Sequence, residues 1–134
     1  MLAPLADVRG VRYFSLQRGV AARQAALPPR GMDVTDLSAR LEDFSDDAAL
    51  MSNLDLVISI DTATAHLAGA MGLRVWTLTH FPPEWRWLLG REDSPWYPTM
   101  RLFRRGAADD WGKVIGRVAE ALGQVVERRA GQLP

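Results

Sequence analysis

The sequence predicts an α/β fold, a parallel sheet with flanking helices, on the strength of three observations. Residues 54–60 (LDLVISI) and 74–78 (RVWTL) are short, largely apolar runs without sustained alternation, the pattern of strands covered on both faces in a parallel sheet. Between them, residues 62–71 read as a helix closed by Gly72, a residue suited to the left-handed position just past a helix end. A length of 134 residues at 48% hydrophobic content fits one domain with a real core.

The remaining elements follow in chain order. Residues 11–16 (VRYFSL) are rich in β-branched and aromatic side chains and precede Gly19, so a strand is expected. Residues 20–27 carry no clear period, and Pro28-Pro29-Arg30-Gly31 breaks the chain before a short strand or turn over 32–37. Ser45-Asp46-Asp47 reads as a polar cap for a short helix carrying Ala48, Ala49, Leu50, Met51 and Leu54. Residues 81–98, with four prolines, three tryptophans and a tyrosine, form a long irregular connection. Another strand is expected over 100–103. Asp109 and Asp110 then open a final helix whose apolar positions Trp111, Val114, Ile115, Val118, Leu122, Val125 and Val126 follow one stripe, with residues 127–134 as a frayed tail.

Composition removes several function classes. Sixteen basic residues balance sixteen acidic ones, so no broad positive field draws the chain to nucleic acid or to an anionic membrane. The absence of cysteine excludes disulfides and thiolate metal sites, and suits a reducing compartment. The first residues hold an early acid and no signal-like apolar run, and no segment reaches the ~18 apolar residues of a membrane span. A soluble, cytoplasmic chain is expected. There is no GxGxxG, Walker loop, HExxH or GxSxG, so a dinucleotide cofactor, P-loop chemistry, a zinc-protease site and a serine-hydrolase elbow are disfavoured.

The segment DTATAH, where the first apolar strand runs into the helix, is the strongest candidate site. In an open parallel sheet, ligands collect beyond the carboxyl ends of the strands, where the next helix presents free N–H groups and a positive dipole end. The amides of Thr62, Ala63 and Thr64 suit a phosphate, His66 lies one turn in, and Asp61 suits ribose or sugar hydroxyls. The same residues also fit a plain structural role, since Asp and Thr commonly cap helices and a helical histidine is often only packed. In the 81–98 loop, Trp85 and Arg86 are candidates to stack a ring and meet a phosphate, whereas Trp87 and Trp96 read as a satellite core. A carbohydrate-binding surface on Trp85 and Trp87 is a further alternative. Arg104 and Arg105 read as a solvated strand end.

The segments DTATAHLAGA and EWRWLLGREDSPWYP carry a resemblance. Over about residues 9–122 the chain is similar to the C-terminal domain of glycosyltransferase family 9, the heptosyltransferase-like group, and above all to bacterial members in which that domain follows tetratricopeptide repeats. The resemblance implies the C-terminal half of a GT-B fold, a Rossmann-like domain that binds a nucleotide-diphosphate sugar and uses no metal and no cofactor. It implies that Asp61, Thr62 and Ala63 meet the diphosphate and sugar, that His66 lies beside the phosphates, and that the helix entered through Asp43 and Phe44 borders the nucleoside. Ala63 stands where heptosyltransferases usually carry glycine, which puts the donor in question. By the same resemblance the chain lacks the first strand and helix of its domain, together with the N-terminal acceptor domain, so it is not expected to catalyse by itself. A gap in mid-sheet implies rearranged strands or a homodimer. The alternative is a non-catalytic remnant or interaction module of the same fold.

Overall fold

The computed structural model describes residues 1–132; Leu133 and Pro134, at the end of the expected tail, lie outside the described residues. The chain is α/β, and among the described residues five strands form two sheets in which every strand pair is parallel. It divides into two compact units, one formed by residues 1–42 with the final helix and the other by residues 43–110.

In the first unit, helix α1 (Ala3–Ala6) precedes strand β1 (Tyr13–Ser15), which pairs with β2 (Val34–Asp36) in the register Tyr13–Val34, Phe14–Thr35 and Ser15–Asp36. The stretch without a clear period forms a 3₁₀ helix, Gly19–Ala26. Gly31 takes a φ of 87°, which makes the Pro-Pro-Arg-Gly break a true reversal. Tyr13 donates its hydroxyl to the Leu5 carbonyl at 2.7 Å, and burial raises its phenol pKa. The final helix α4 (Trp111–Ala130) buries Val114, Ile115, Val118 and Leu122 of the expected stripe, and α1 packs on it. It runs on through residues assigned to a frayed tail, because the 3–4 spacing of Leu122, Val125 and Val126 keeps one face covered for a further turn.

The second unit holds α2 (Phe44–Met51), β3 (Val57–Ile60), α3 (Ala63–Ala70), β4 (Val75–Thr79) and β5 (Met100–Arg104), with strand order β3-β4-β5. Helix α3 packs on β3 and β4, and α2 packs on α3. All five residues of β4 are buried, as expected for a strand with a neighbour on each side. Strand β3 departs from expectation: Val57 is 1% exposed but Ile60 is 57% exposed. Only one of its edges is paired, with β4, so its apolar run reflects one covered end rather than two covered faces.

The helix ends are set locally. Helix α2 starts two residues before the expected cap: Asp43 is the N-cap, its Oδ1 accepting from the amides of Ser45 at 2.7 Å and Asp46 at 3.1 Å, while the Asp46 carboxylate accepts from the Asp43 amide. This reciprocal box makes Ser45, Asp46 and Asp47 first-turn residues. Gly72 ends α3 as expected. It takes a φ of 70°, its amide donates to Gly69, and the Leu73 amide reaches back to Ala68, which closes the last turn with two bonds.

Candidate functional site

The candidate site lies in the second unit. A cleft of about 350 Å³ is lined by His66 of α3 and by Trp85, Arg86, Trp96 and Tyr97 of the connection between β4 and β5. That connection is ordered by hydrogen bonds. Residues 85–87 form a single 3₁₀ turn with Glu84 as its cap, accepting from the Arg86 amide. Arg104, at the end of β5, donates to the carbonyls of Trp87, Leu88 at 3.0 Å and Arg91 at 2.6 Å. It is therefore a clamp on the loop, not a solvated strand end. Burial and the nearby Arg91 charge both lower its guanidinium pKa from the usual arginine value. Arg105 is half-buried and donates its amide to the Thr79 carbonyl at 2.9 Å.

Beneath the cleft lies Trp87, fully buried, whose indole N–H donates to Asp61 Oδ2 at 2.7 Å. The other carboxylate oxygen of Asp61 lies 3.5 Å from His66 Nε2. The His66 ring stacks on Trp87, with centroids 5.3 Å apart and planes at 21°. Its remaining nitrogen, Nδ1, is 3.0 Å from the Tyr97 hydroxyl. Trp87, Asp61, His66 and Tyr97 thus form one continuous chain of polar contacts from the core to the cleft. Asp61 is held by two side chains, so its first task is to satisfy a buried indole and orient an imidazole.

Tyr97 reaches His66 because Gly69 has no side chain. A Cβ built on Gly69 would lie 2.6 Å from the Tyr97 ring. His66 and Gly69 are three residues apart and share a face of α3, so an aromatic ring lies across the helix at that point.

At the cleft mouth, Trp85 is 69% exposed and Trp96 56% exposed, meeting edge to face with centroids 6.5 Å apart. Trp96 is fixed by its indole N–H, which donates to the Arg86 carbonyl at 2.9 Å. The Arg86 guanidinium sits 5.4 Å from the Trp85 ring centre and 2.8 Å from Glu84, an exposed pair contributing at most ~1 kcal/mol. Trp96 is thus a rigid exposed face and not the satellite core expected for it. Trp87, being buried, offers no surface to a carbohydrate.

Among the residues expected from sequence, His66, Trp85 and Arg86 come together in the cleft, and Asp61 supports it from beneath. Thr62 is the α3 N-cap, but its hydroxyl makes no capping bond; it contacts the Ile60 carbonyl and the Ser59 hydroxyl. The amides of Ala63 and Thr64 therefore receive nothing from it. Thr62 and Ala63 are exposed and Thr64 half-buried, one turn before His66. Asp43 and Phe44 do not line the cleft. Asp43 is committed to its capping box, and Phe44, 60% exposed, opens α2. Tyr97 and Gly69 complete the site without having been singled out, and Trp96 joins it although it was read as core; the glycine three residues after the histidine is the trace that Tyr97 leaves in the sequence. Among the described residues, no cluster of His, Asp and Glu side chains suits a metal ion, and no helix is long and apolar enough to cross a membrane.

No family model matches the chain, and no solved structure matches it significantly. The chain is similar to Protein FlbA of Caulobacter vibrioides, 36% identical over 126 residues that cover 89% of this chain. It spans 20% of that protein's length.

Proposed function

We propose that this chain is a donor-binding domain of a sugar-nucleotide-dependent glycosyltransferase, which in a complete protein transfers a sugar from a nucleoside diphosphate. The observation that carries this reading is the cleft that joins His66, one turn into α3, to Arg86 and to the exposed faces of Trp85 and Trp96. A nucleotide sugar needs these chemistries within one cleft. Cationic groups and uncapped helix amides meet the diphosphate, while flat aromatic faces meet a base or a pyranose ring. The amides of Ala63 and Thr64, which Thr62 does not cap, lie in the turn of α3 before His66. No metal is invoked, because helix amides and a cationic arginine suffice to balance a departing diphosphate. The open edge of β3, with Ile60 57% exposed, favours a second reading, that of an interaction module in which another strand or a second copy completes the sheet.

Tryptophan fluorescence tests the first reading. Titration with UDP, ADP, GDP and dTDP is expected to quench emission for one base, and Trp85→Phe to remove most of that quench. His66→Ala is expected to weaken the same nucleotide by ~1 to 3 kcal/mol, the range for a charge-assisted contact. No saturable quench with any of the four at millimolar concentration would remove the donor-site reading. It would leave the interaction module.

A further inference from the structure

We infer that Tyr97 is a ligand-contacting residue whose hydrogen-bonding polarity is set by the protonation of His66, so that the cleft binds anions by taking up a proton. The inference rests on the donor-site reading for its location but concerns a separate property, the proton that accompanies the anion. His66 sits between two oxygen partners of different kinds: a carboxylate 3.5 Å from Nε2 and a phenol 3.0 Å from Nδ1. In the neutral imidazole, the nitrogen facing the carboxylate carries the proton, which leaves Nδ1 as an acceptor for the Tyr97 O–H. The phenol proton is then committed to His66, and Tyr97 offers the cleft only lone pairs. Those repel an anion.

Protonation reverses the direction. Nδ1–H now donates to the Tyr97 oxygen, and the phenol O–H rotates toward the cleft as a donor. One proton arriving at His66 thus appears at the ligand as a phenolic donor.

The fixed charges work in the same direction. The charged and titratable groups around His66 are Asp61 beneath it, Tyr97 beside it, and Arg86 across the cleft with its partner Glu84. With neutral His66 the set holds one cation against two carboxylates, a poor anion site. With His66 protonated the charges balance, and the positive end of α3 tips the cleft toward an anion. Asp61 resists displacement from this arrangement because its other oxygen is held by the buried Trp87 indole. Tyr97 resists it because its ring lies against Gly69. The relay is therefore preformed. The ligand class is a dianionic oxyanion, of which the diphosphate of a nucleotide is one source and a free inorganic oxyanion another.

Sulfate is the probe, since its charge does not change between pH 5.5 and 8. Chemical-shift titration of the full chain is expected to show sulfate binding about tenfold tighter at pH 5.5 than at pH 8, with the largest shifts at His66 and Tyr97. Tyr97→Phe should lower affinity at pH 5.5 by about tenfold and leave pH 8 almost unchanged, whereas a merely structural tyrosine would lower both alike. His66→Gln, with His80 intact, should abolish the pH dependence. Equal affinity at both pH values, an equal effect of Tyr97→Phe at both, or no sulfate binding at either would each overturn the proposal. Parallel titration with the nucleoside diphosphates separates it from the donor reading. Nucleotide binding that ignores pH and Tyr97→Phe would defeat the relay and keep the donor site, while pH-dependent sulfate binding without nucleotide binding would do the reverse.

Discussion

Replacing Asp61 by alanine should destabilise the fold as well as weaken a ligand, because this carboxylate is the acceptor for a tryptophan with no solvent exposure. The Trp87 indole N–H donates to it at 2.7 Å. In Asp61→Ala that donor loses its partner in the core, a cost of ~1 to 3 kcal/mol. For a chain of this size that corresponds to a fall in Tm of ~4 to 12 °C, read by far-UV circular dichroism under conditions where unfolding is two-state. Asp61→Asn keeps a carbonyl oxygen at the same place and should recover all but ~1 kcal/mol, while losing the charge that faces His66. Trp87→Phe supplies the control, since it removes the donor and keeps an aromatic ring in the core. In that background Asp61→Ala should cost clearly less than in wild type, and the difference measures the bond. If Asp61→Ala melts within ~1 °C of wild type, or costs the same with and without the indole, the Asp61–Trp87 bond does not hold the site together. From sequence alone Asp61 was expected to act on ligand more than on folding; its bond to the buried Trp87 indole adds a folding role.

Three further substitutions probe the frame of the site. Gly69→Ala would place a methyl 2.6 Å from the Tyr97 ring, so it should destabilise by ~1 to 3 kcal/mol in chemical denaturation and shift the His66 ring resonances as Tyr97 moves away. Arg104→Ala removes the donor to three loop carbonyls; a loss of ~1.5 to 3 kcal/mol and faster amide exchange over residues 85–91 are expected, and unchanged exchange there would contradict the clamp. Asp43→Ala should cost ~1 kcal/mol in the same denaturation assay through loss of the α2 capping box, with no change in nucleotide affinity; a large affinity loss would return Asp43 to the binding site.

The parts of the fold legible in the sequence are those fixed over short distances. Strand β4, helix α3 and the turn at Gly72 follow from a continuous apolar run, from helical spacing and from one residue that tolerates a positive φ. His66, one turn into α3 beyond the end of β3, was chosen as a candidate on the rule that parallel sheets bind at the carboxyl ends of their strands. What escaped depends on where the β4–β5 connection lies. Asp61 and Trp87 are 26 residues apart, His66 and Tyr97 are 31 apart, and neither pair has a local signature. Trp96 was misjudged because burial of an aromatic in a loop is decided by the path of the loop; here a single bond from its indole to the Arg86 carbonyl holds it at the surface. The α2 cap was placed late because its first residue, Phe44, is a poor helix former, and the start was sought at the polar residues that follow.

The most direct test of the donor-site reading is an amide-shift NMR titration of the chain with UDP, ADP, GDP and dTDP in turn. Saturable shifts confined to Asp61–His66 and to Trp85, Arg86, Trp96 and Tyr97, produced by one nucleotide and absent in His66→Ala, are the expected result. Shifts with no nucleotide at millimolar concentration, or shifts centred on Asp43 and Phe44, would contradict it.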